Sequence, residues 1–142
     1  MIWNRIKNFV SIALIQTILL MSVYTDASAK SQKSDISVSD TIKLLEANKA
    51  YLIDVRELDE ILEDGMAKPA KWLSMEEIQV RGNHYENAIR TWPKATVLIF
   101  YCISGKRAGT AAEHFKSLGY KTSVMGGFKD WKAAGLPIRQ KP

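Results

Sequence analysis

Cys102 has the side chain with the clearest chemistry, and it is the only cysteine among the 142 residues of the chain. It follows an apolar segment, residues 96–101, and the residues after it are Ile103, Ser104, Gly105, Lys106 and Arg107. Successive backbone amides of such a loop can curl around an anion. The helix expected after the loop adds the positive end of its dipole. Both effects, together with the two basic side chains, favour the nucleophilic thiolate over the thiol.

The two basic residues after Gly105 point to an anionic ligand. A cation at the amino end of a helix is unfavourable by about 0.3–1 kcal/mol, so Lys106 and Arg107 indicate that a negative partner offsets this cost. Arg107 indicates an anionic ligand more strongly than Lys106 does, because Lys106 can equally be a solvated residue of the helix start. Gly105 allows a backbone turn that a side chain would hinder. The alternative for Cys102 is a buried structural thiol, because cysteine is common in protein cores.

The pattern of apolar residues predicts the elements that hold this loop. Residues 96–101 are apolar on both faces, as expected of a central strand in a parallel sheet. A helix is expected over residues 107–117, and strands over residues 51–55 and 122–125. The alternation indicates an α/β fold with a mainly parallel central sheet flanked by helices. Sites in such folds lie outside the carboxyl ends of the strands, which is where Cys102 falls.

Local features give finer expectations. Residues 36–38 are expected to form a short strand, and Ile61 and Leu62 are expected to anchor a charged segment to the core. Ser74 and Glu77 fit a capping box, in which each side chain satisfies the other residue's backbone amide. The glycine pair at residues 126–127 is expected to form a turn.

The first 29 residues predict a secretory signal peptide. A basic start is followed by an apolar stretch, residues 9–23, and by a small-residue cleavage site that ends at Ala29. As a helix that stretch would reach roughly 22 Å, short of a ~30 Å membrane core, so a retained anchor is the weaker alternative. We therefore expect an exported, periplasmic domain over residues 30–142, with no membrane contact after cleavage. It would carry a net charge of +4 without long basic runs, which argues against nucleic-acid binding.

Three motifs occur in an order that a known family shares. The strand end from Asp54 to Glu57 reads D-V-R-E, and the loop from Cys102 to Arg107 reads C-x-x-G-x-R. The segment from Gly126 to Pro137 reads G-G-x-x-x-W-x-x-x-G-x-P. Over residues 36–138 the chain therefore resembles the rhodanese family, and its predicted signal peptide resembles that of the small periplasmic members. Residues 65–70 depart from the pattern, because they read G-M-A-K-P-A where the family often has G-H-I-P-G-A.

The resemblance implies a single three-layer domain and a ping-pong sulfur transfer. Cys102 would take sulfur from a small anionic donor such as thiosulfate, and the resulting persulfide would pass it to cyanide, a thiol or a partner protein. Arg107, with Lys106, would hold the donor, and the amides of residues 103–107 would hold the sulfur. Asp54 and Arg56 would support the loop structurally. No metal or organic cofactor is implied.

Two other readings compete with sulfur transfer. Cysteine phosphatases and arsenate reductases use a longer Cys-x5-Arg loop, whereas Cys102 and Arg107 are separated by four residues. Rhodanese-like modules can also act as non-catalytic binding domains, although those often lack the cysteine. The two histidines, His84 and His114, show no metal-ligand spacing with Cys102, so the sequence gives no zinc signal.

Overall fold

The computed structural model describes residues 34–142, so the predicted signal peptide lies outside the described residues. Strands and helices alternate along this part of the chain, as the sequence predicts. The elements are α1 Val38–Glu46, β1 Ala50–Asp54, α2 Leu58–Asp64, β2 Met66–Ala67, β3 Lys71–Trp72, α3 Met75–Val80, α4 Asn83–Thr91, β4 Val97–Cys102, α5 Lys106–Ser117, β5 Lys121–Gly127, α6 Phe128–Ala133 and β6 Ile138–Arg139.

Four parallel strands form the central sheet in the order β3-β1-β4-β5. The apolar strand β4 lies between β1 and β5, where both of its faces are covered. Because the strands are parallel, their carboxyl ends meet at one edge of the sheet. The short strands β2 and β6 form a separate antiparallel pair.

Helices cover both faces of the sheet. Leu98, Phe100 and Cys102 of β4 point into one core, which is completed by α3, α4 and α5. Ile99 and Tyr101 point into a second core, which is completed by α1, α2 and α6. This alternation follows from the two-residue period of a strand. The predicted α/β fold, with a mainly parallel sheet between layers of helices, is confirmed.

Phe115 fixes α5 against the central strand. Its ring lies 5.3 Å from that of Phe100, measured between centroids, and it also contacts Tyr85, Trp92 and Tyr120. Such aromatic pairs stabilise a core beyond the area that they bury. The cluster therefore holds the helix that begins directly after the Cys102 loop.

Two local predictions at the start of the domain are wrong. Residues 36–38 do not form a strand, because α1 begins at Val38. Ser37 caps this helix through its hydroxyl oxygen, which accepts a hydrogen bond of 3.0 Å from the amide of Asp40. Leu62 is 55% exposed and does not anchor its segment, whereas Ile61, the other predicted anchor, is buried on the short helix α2.

Two further expectations hold only in part. The Ser74 hydroxyl oxygen accepts a hydrogen bond from the Glu77 amide, but the Glu77 carboxylate accepts one from the His84 amide instead of completing the capping box. The glycine pair at residues 126–127 belongs to the end of β5, where the pairing with β4 shifts register, and not to a separate turn. Within residues 34–142 no helix has the length and apolar character needed to cross a membrane.

Candidate active site

Cys102 is the last residue of β4, and its side chain is fully buried. The backbone partner of Cys102 on β5 is Gly127, and the preceding residue, Tyr101, pairs with Asp54 on β1. The sulfur therefore lies at the carboxyl edge of the sheet, between two other strand ends, as the sequence predicts.

The loop after Cys102 turns back so that a backbone amide faces the sulfur. The Gly105 amide donates a hydrogen bond of 3.1 Å to Cys102 Sγ. Gly105 has a φ of 88°, a left-handed conformation that favours glycine, so the predicted turn at this residue is confirmed. The 12-residue helix α5 begins at the next residue, Lys106. Its positive end and the Gly105 amide both stabilise negative charge on the sulfur.

The end of β5 packs directly against this loop. A Cβ atom added to Gly127 would lie 2.3 Å from the carbonyl oxygen of Ile103. The φ of Gly127 is −111°, which any residue can adopt, so the need for glycine here is one of space. The paired glycines at residues 126–127 are a sequence signal for this contact, although their pattern by itself predicts a turn.

Arg107 is held by a carboxylate of the chain itself. Its Nη1 and Nη2 atoms donate hydrogen bonds of 2.5 and 2.7 Å to the two oxygens of Glu60. Glu60 also accepts a hydrogen bond of 2.9 Å from the Glu57 amide, which fixes its side chain against the start of α2. The basic residues after Gly105 predict an anionic ligand beside Arg107. In the structure the Glu60 carboxylate binds Arg107, and a role of Arg107 in holding a donor stays a prediction. Sequence reasoning missed Glu60, although an acidic residue three positions after Glu57 at a helix start was a usable signal.

The pair alters the titration of both partners. The hydrogen bonds from Arg107 lower the pKa of Glu60 below its usual range, against the opposing effect of burial. The same hydrogen bonds raise the pKa of Arg107 further above its usual value, and negative charge on Cys102 adds to this rise. Arg107 is therefore permanently charged, and it lies close enough to Cys102 to interact with the sulfur.

Asp54 and Arg56 form a fully buried ion pair behind the loop. Arg56 Nη2 lies 2.7 Å from Asp54 Oδ2, and it also donates a hydrogen bond of 2.6 Å to the Gly65 carbonyl. The guanidinium carbon lies 4.2 Å from the centre of the Phe128 ring. Burial lowers the pKa of Arg56, but the Asp54 carboxylate outweighs it, so the net shift is upward. These contacts tie the end of β1 to the next turn and to α6.

The remaining loop residues face solvent. The side chains of Ile103, Ser104 and Lys106 are exposed, Ile103 by 48%. Lys106 and Arg107 border a pocket of about 350 Å³, together with Glu57 and Glu76. A second pocket, of about 440 Å³, shares these two glutamates. The smaller pocket thus lies at the start of α5, and Cys102 itself borders neither of the two.

The histidines have other partners. His114 Nε2 lies 2.8 Å from the Tyr85 hydroxyl oxygen, and the His84 ring lies beside Glu77 and Trp72. Among the described residues, no cluster of three or more His, Cys, Asp or Glu side chains is placed to hold a metal ion.

Comparison with known proteins agrees with this geometry. The family model of the rhodanese-like domain matches residues 37–134. No curated protein matches the chain significantly. Many solved structures do match, and three of them illustrate the range of these similarities.

The three structures share the fold at low sequence identity. A protein of unknown function from Rhodopseudomonas palustris, described as a possible tyrosine phosphatase, is 25% identical with a TM-score of 0.61, over 78% of this chain and 88% of that one. A rhodanese-related protein from Thermoplasma volcanium is 20% identical with a TM-score of 0.61, over 77% of this chain and 100% of that one. The enzyme EanB, whose structure holds a cysteine persulfide with ergothioneine, is 22% identical with a TM-score of 0.62. That match covers 75% of this chain but 28% of EanB. Because the family model spans well over half of the chain, the protein belongs to the rhodanese-like domain family.

Proposed function

We propose that the protein is a sulfurtransferase that carries sulfane sulfur as a persulfide on Cys102. The observation that carries the proposal is the position of Sγ at the start of α5, 3.1 Å from the Gly105 amide, in a chain of this family. A persulfide anion requires the same stabilisation as a thiolate, and the Gly105 amide and the positive end of α5 both supply it. The EanB structure, which shares this fold over 28% of its chain, contains a cysteine persulfide, and this supports the proposal.

The proposed reaction has two displacement steps. The Cys102 thiolate attacks the outer sulfur of thiosulfate or a similar donor, so that a bond forms to Sγ while the donor's S–S bond breaks and sulfite leaves. Cyanide or a thiolate then attacks the outer sulfur of the persulfide, and the Cys102 thiolate leaves. No net oxidation occurs.

Steady-state turnover tests this proposal. The purified protein is mixed with thiosulfate and cyanide, and thiocyanate formation is followed for the native chain and for Cys102→Ser. Because serine has nearly the shape of cysteine, the variant should keep its unfolding midpoint in urea and lose turnover. Equal turnover in a correctly folded Cys102→Ser protein would overturn the proposal.

A cysteine phosphatase is the second candidate function. It is favoured by the 25% identity to a protein described as a possible tyrosine phosphatase. Two features oppose it. One is that four residues separate Cys102 from Arg107, one fewer than in a phosphatase loop. The other is that the family model that matches is that of the rhodanese-like domain. Hydrolysis of p-nitrophenyl phosphate that depends on Cys102, in the absence of sulfur transfer, would decide for the phosphatase. Absence of both activities would decide for a binding module.

We further propose that the mature protein is exported and starts at Lys30. The tripartite pattern of the first 29 residues supports this. The intact mass of the protein recovered from the periplasm of a bacterial host would show whether cleavage follows Ala29. A protein that remains in the cytoplasm with residues 1–29 attached would contradict export.

A further inference from the structure

The Glu60 carboxylate is fixed between the start of α2 and the start of α5. It accepts hydrogen bonds of 2.5 and 2.7 Å from the two terminal nitrogens of Arg107 and one of 2.9 Å from the Glu57 amide. The side chains of Arg107 and Glu60 are only 32% and 24% exposed, so solvent and salt screen their charges less than those of a surface pair. Glu60 therefore cannot turn away from Arg107 without losing these hydrogen bonds.

Two other carboxylates near the same strand ends have different partners. Asp54 is paired with Arg56, and both side chains are fully buried. Asp130 of α6 accepts a hydrogen bond of 3.1 Å from the last amide of β5. Lys106, the other base at the start of α5, is exposed and forms no ion pair within residues 34–142. Glu60 is therefore the carboxylate that offsets a base of the active-site loop.

The positive groups around Cys102 make its sulfur reactive, and Glu60 opposes them. The Gly105 amide donates a hydrogen bond to Sγ, and the positive end of α5 lies beside it. The pKa of Arg107 is raised chiefly by its hydrogen bonds to Glu60 and further by Cys102, so its guanidinium interacts with both groups. A carboxylate on that guanidinium makes the potential at the sulfur less positive. It therefore disfavours the thiolate, which is the nucleophilic form of cysteine.

We propose that Glu60 restrains the reactivity of Cys102 by offsetting the charge of Arg107. Glu60 is a positioning residue, because it acts on the sulfur through the arginine that it holds. The inference rests on the proposed function, since it names what regulates the same cysteine. Oxidation of a thiol follows its thiolate character, so the restraint also slows oxidation of the sulfur. Such protection suits a lone thiol in the oxidising compartment to which we propose that the protein is exported.

The rate of alkylation by iodoacetamide measures the reactivity of Cys102, the only cysteine of the chain. The thiolate displaces iodide, and a thioether bond forms to Sγ. The reagent is uncharged, so a change of charge at the site acts on the sulfur and not on the reagent. Rates are followed by intact mass at one pH and ionic strength. We expect Glu60→Gln to raise the rate about fivefold and Arg107→Gln to lower it about fivefold, as Coulomb's law gives for close unit charges in water. The double variant should lie between the two.

Two more variants separate the charge of Glu60 from its part in the structure. Glu60→Asp keeps the charge on a shorter side chain, so its rate should stay near the native value. Glu63→Gln is the matched control, because Glu63 lies on the same helix, is exposed and forms no ion pair in the described part of the chain. Its rate should be native. Unfolding in urea shows that each variant is folded. If Glu60→Gln is not, the double variant should still react faster than Arg107→Gln.

Three results would overturn the inference: a folded Glu60→Gln protein that reacts no faster than the native one, an equal gain in Glu63→Gln, or an equal loss of rate in Glu60→Gln and Glu60→Asp. The last result would show that the pair only shapes the loop. None of these measurements requires sulfur turnover. If the rates follow the expected order but no persulfide forms with any donor, the proposed function fails and the restraint by Glu60 stands. If a persulfide forms and Glu60→Gln is not faster, the inference alone fails.

Discussion

Replacing Gly127 with alanine should displace the active-site loop. The added Cβ would lie 2.3 Å from the Ile103 carbonyl oxygen, about 1 Å short of ordinary van der Waals contact. The obstacle is backbone on both sides, so neither a rotamer change nor a flexible side-chain end can relieve it. Strand β5 or the loop must therefore move by about that distance. Overpacking of this kind costs about 1–3 kcal/mol of stability. A misplacement of about 1 Å at a reacting group can reduce activity about 100-fold.

The assay compares Gly127→Ala with a glycine that makes no such contact. Gly119 has a φ of 86°, and a Cβ added to it would meet nothing within 4 Å. Gly119→Ala should therefore cost about 1–2 kcal/mol through left-handed strain alone and leave sulfur transfer unchanged. Urea unfolding and thiocyanate formation are measured for both variants. Native turnover in Gly127→Ala, or an equal loss of turnover in Gly119→Ala, would refute the role assigned to this contact.

Three further predictions concern the groups around the site. Asp54→Ala should destabilise the fold by about 3–5 kcal/mol in urea, because it leaves Arg56 charged and buried without its partner; a loss below 1 kcal/mol would contradict this. The pKa of Glu60 is lowered in the folded state. Its ionised carboxylate should therefore stabilise the fold fully at any pH above its unfolded-state pKa of about 4.3. This stabilisation should be lost as the pH falls through the lower, folded-state pKa. The stability difference between the native protein and Glu60→Gln should thus shrink on acidification, and a difference that is constant from pH 7 to pH 3 would refute the pairing. Phe115→Ala should cost about 3–5 kcal/mol by opening a cavity between α5 and β4, and an unchanged urea midpoint would contradict that packing.

The sequence was most informative where the determinants are local. The apolar run before Cys102 and the glycine at position 105 were sufficient to place a cysteine at a strand end and a turn beside it. Strand–helix alternation was sufficient for the fold class, since a parallel sheet needs a helical crossover between its strands. The interpretation of Asp54 and Arg56 as structural support stays a prediction, although their burial is consistent with it.

The contacts that sequence reasoning missed join residues far apart in the chain. Glu60 and Arg107 are 47 positions apart, and Gly127 meets Ile103 from another strand. No periodicity or local motif encodes such a distance, because it depends on how α2 and β5 pack against the loop. The wrong assignment of Leu62 has a different cause. A helix of seven residues offers about two turns, and neighbouring apolar positions compete for its one buried face.

Intact-mass measurement shows whether Cys102 carries the transferred sulfur. The native protein and Cys102→Ser are incubated with a persulfide or thiosulfate donor, freed of excess donor, weighed, and weighed again after cyanide is added. We expect a gain of one sulfur atom in the native protein alone and its loss with cyanide. A folded, reduced native protein that gains no sulfur from any donor, or a Cys102→Ser protein that gains it equally, would contradict the account.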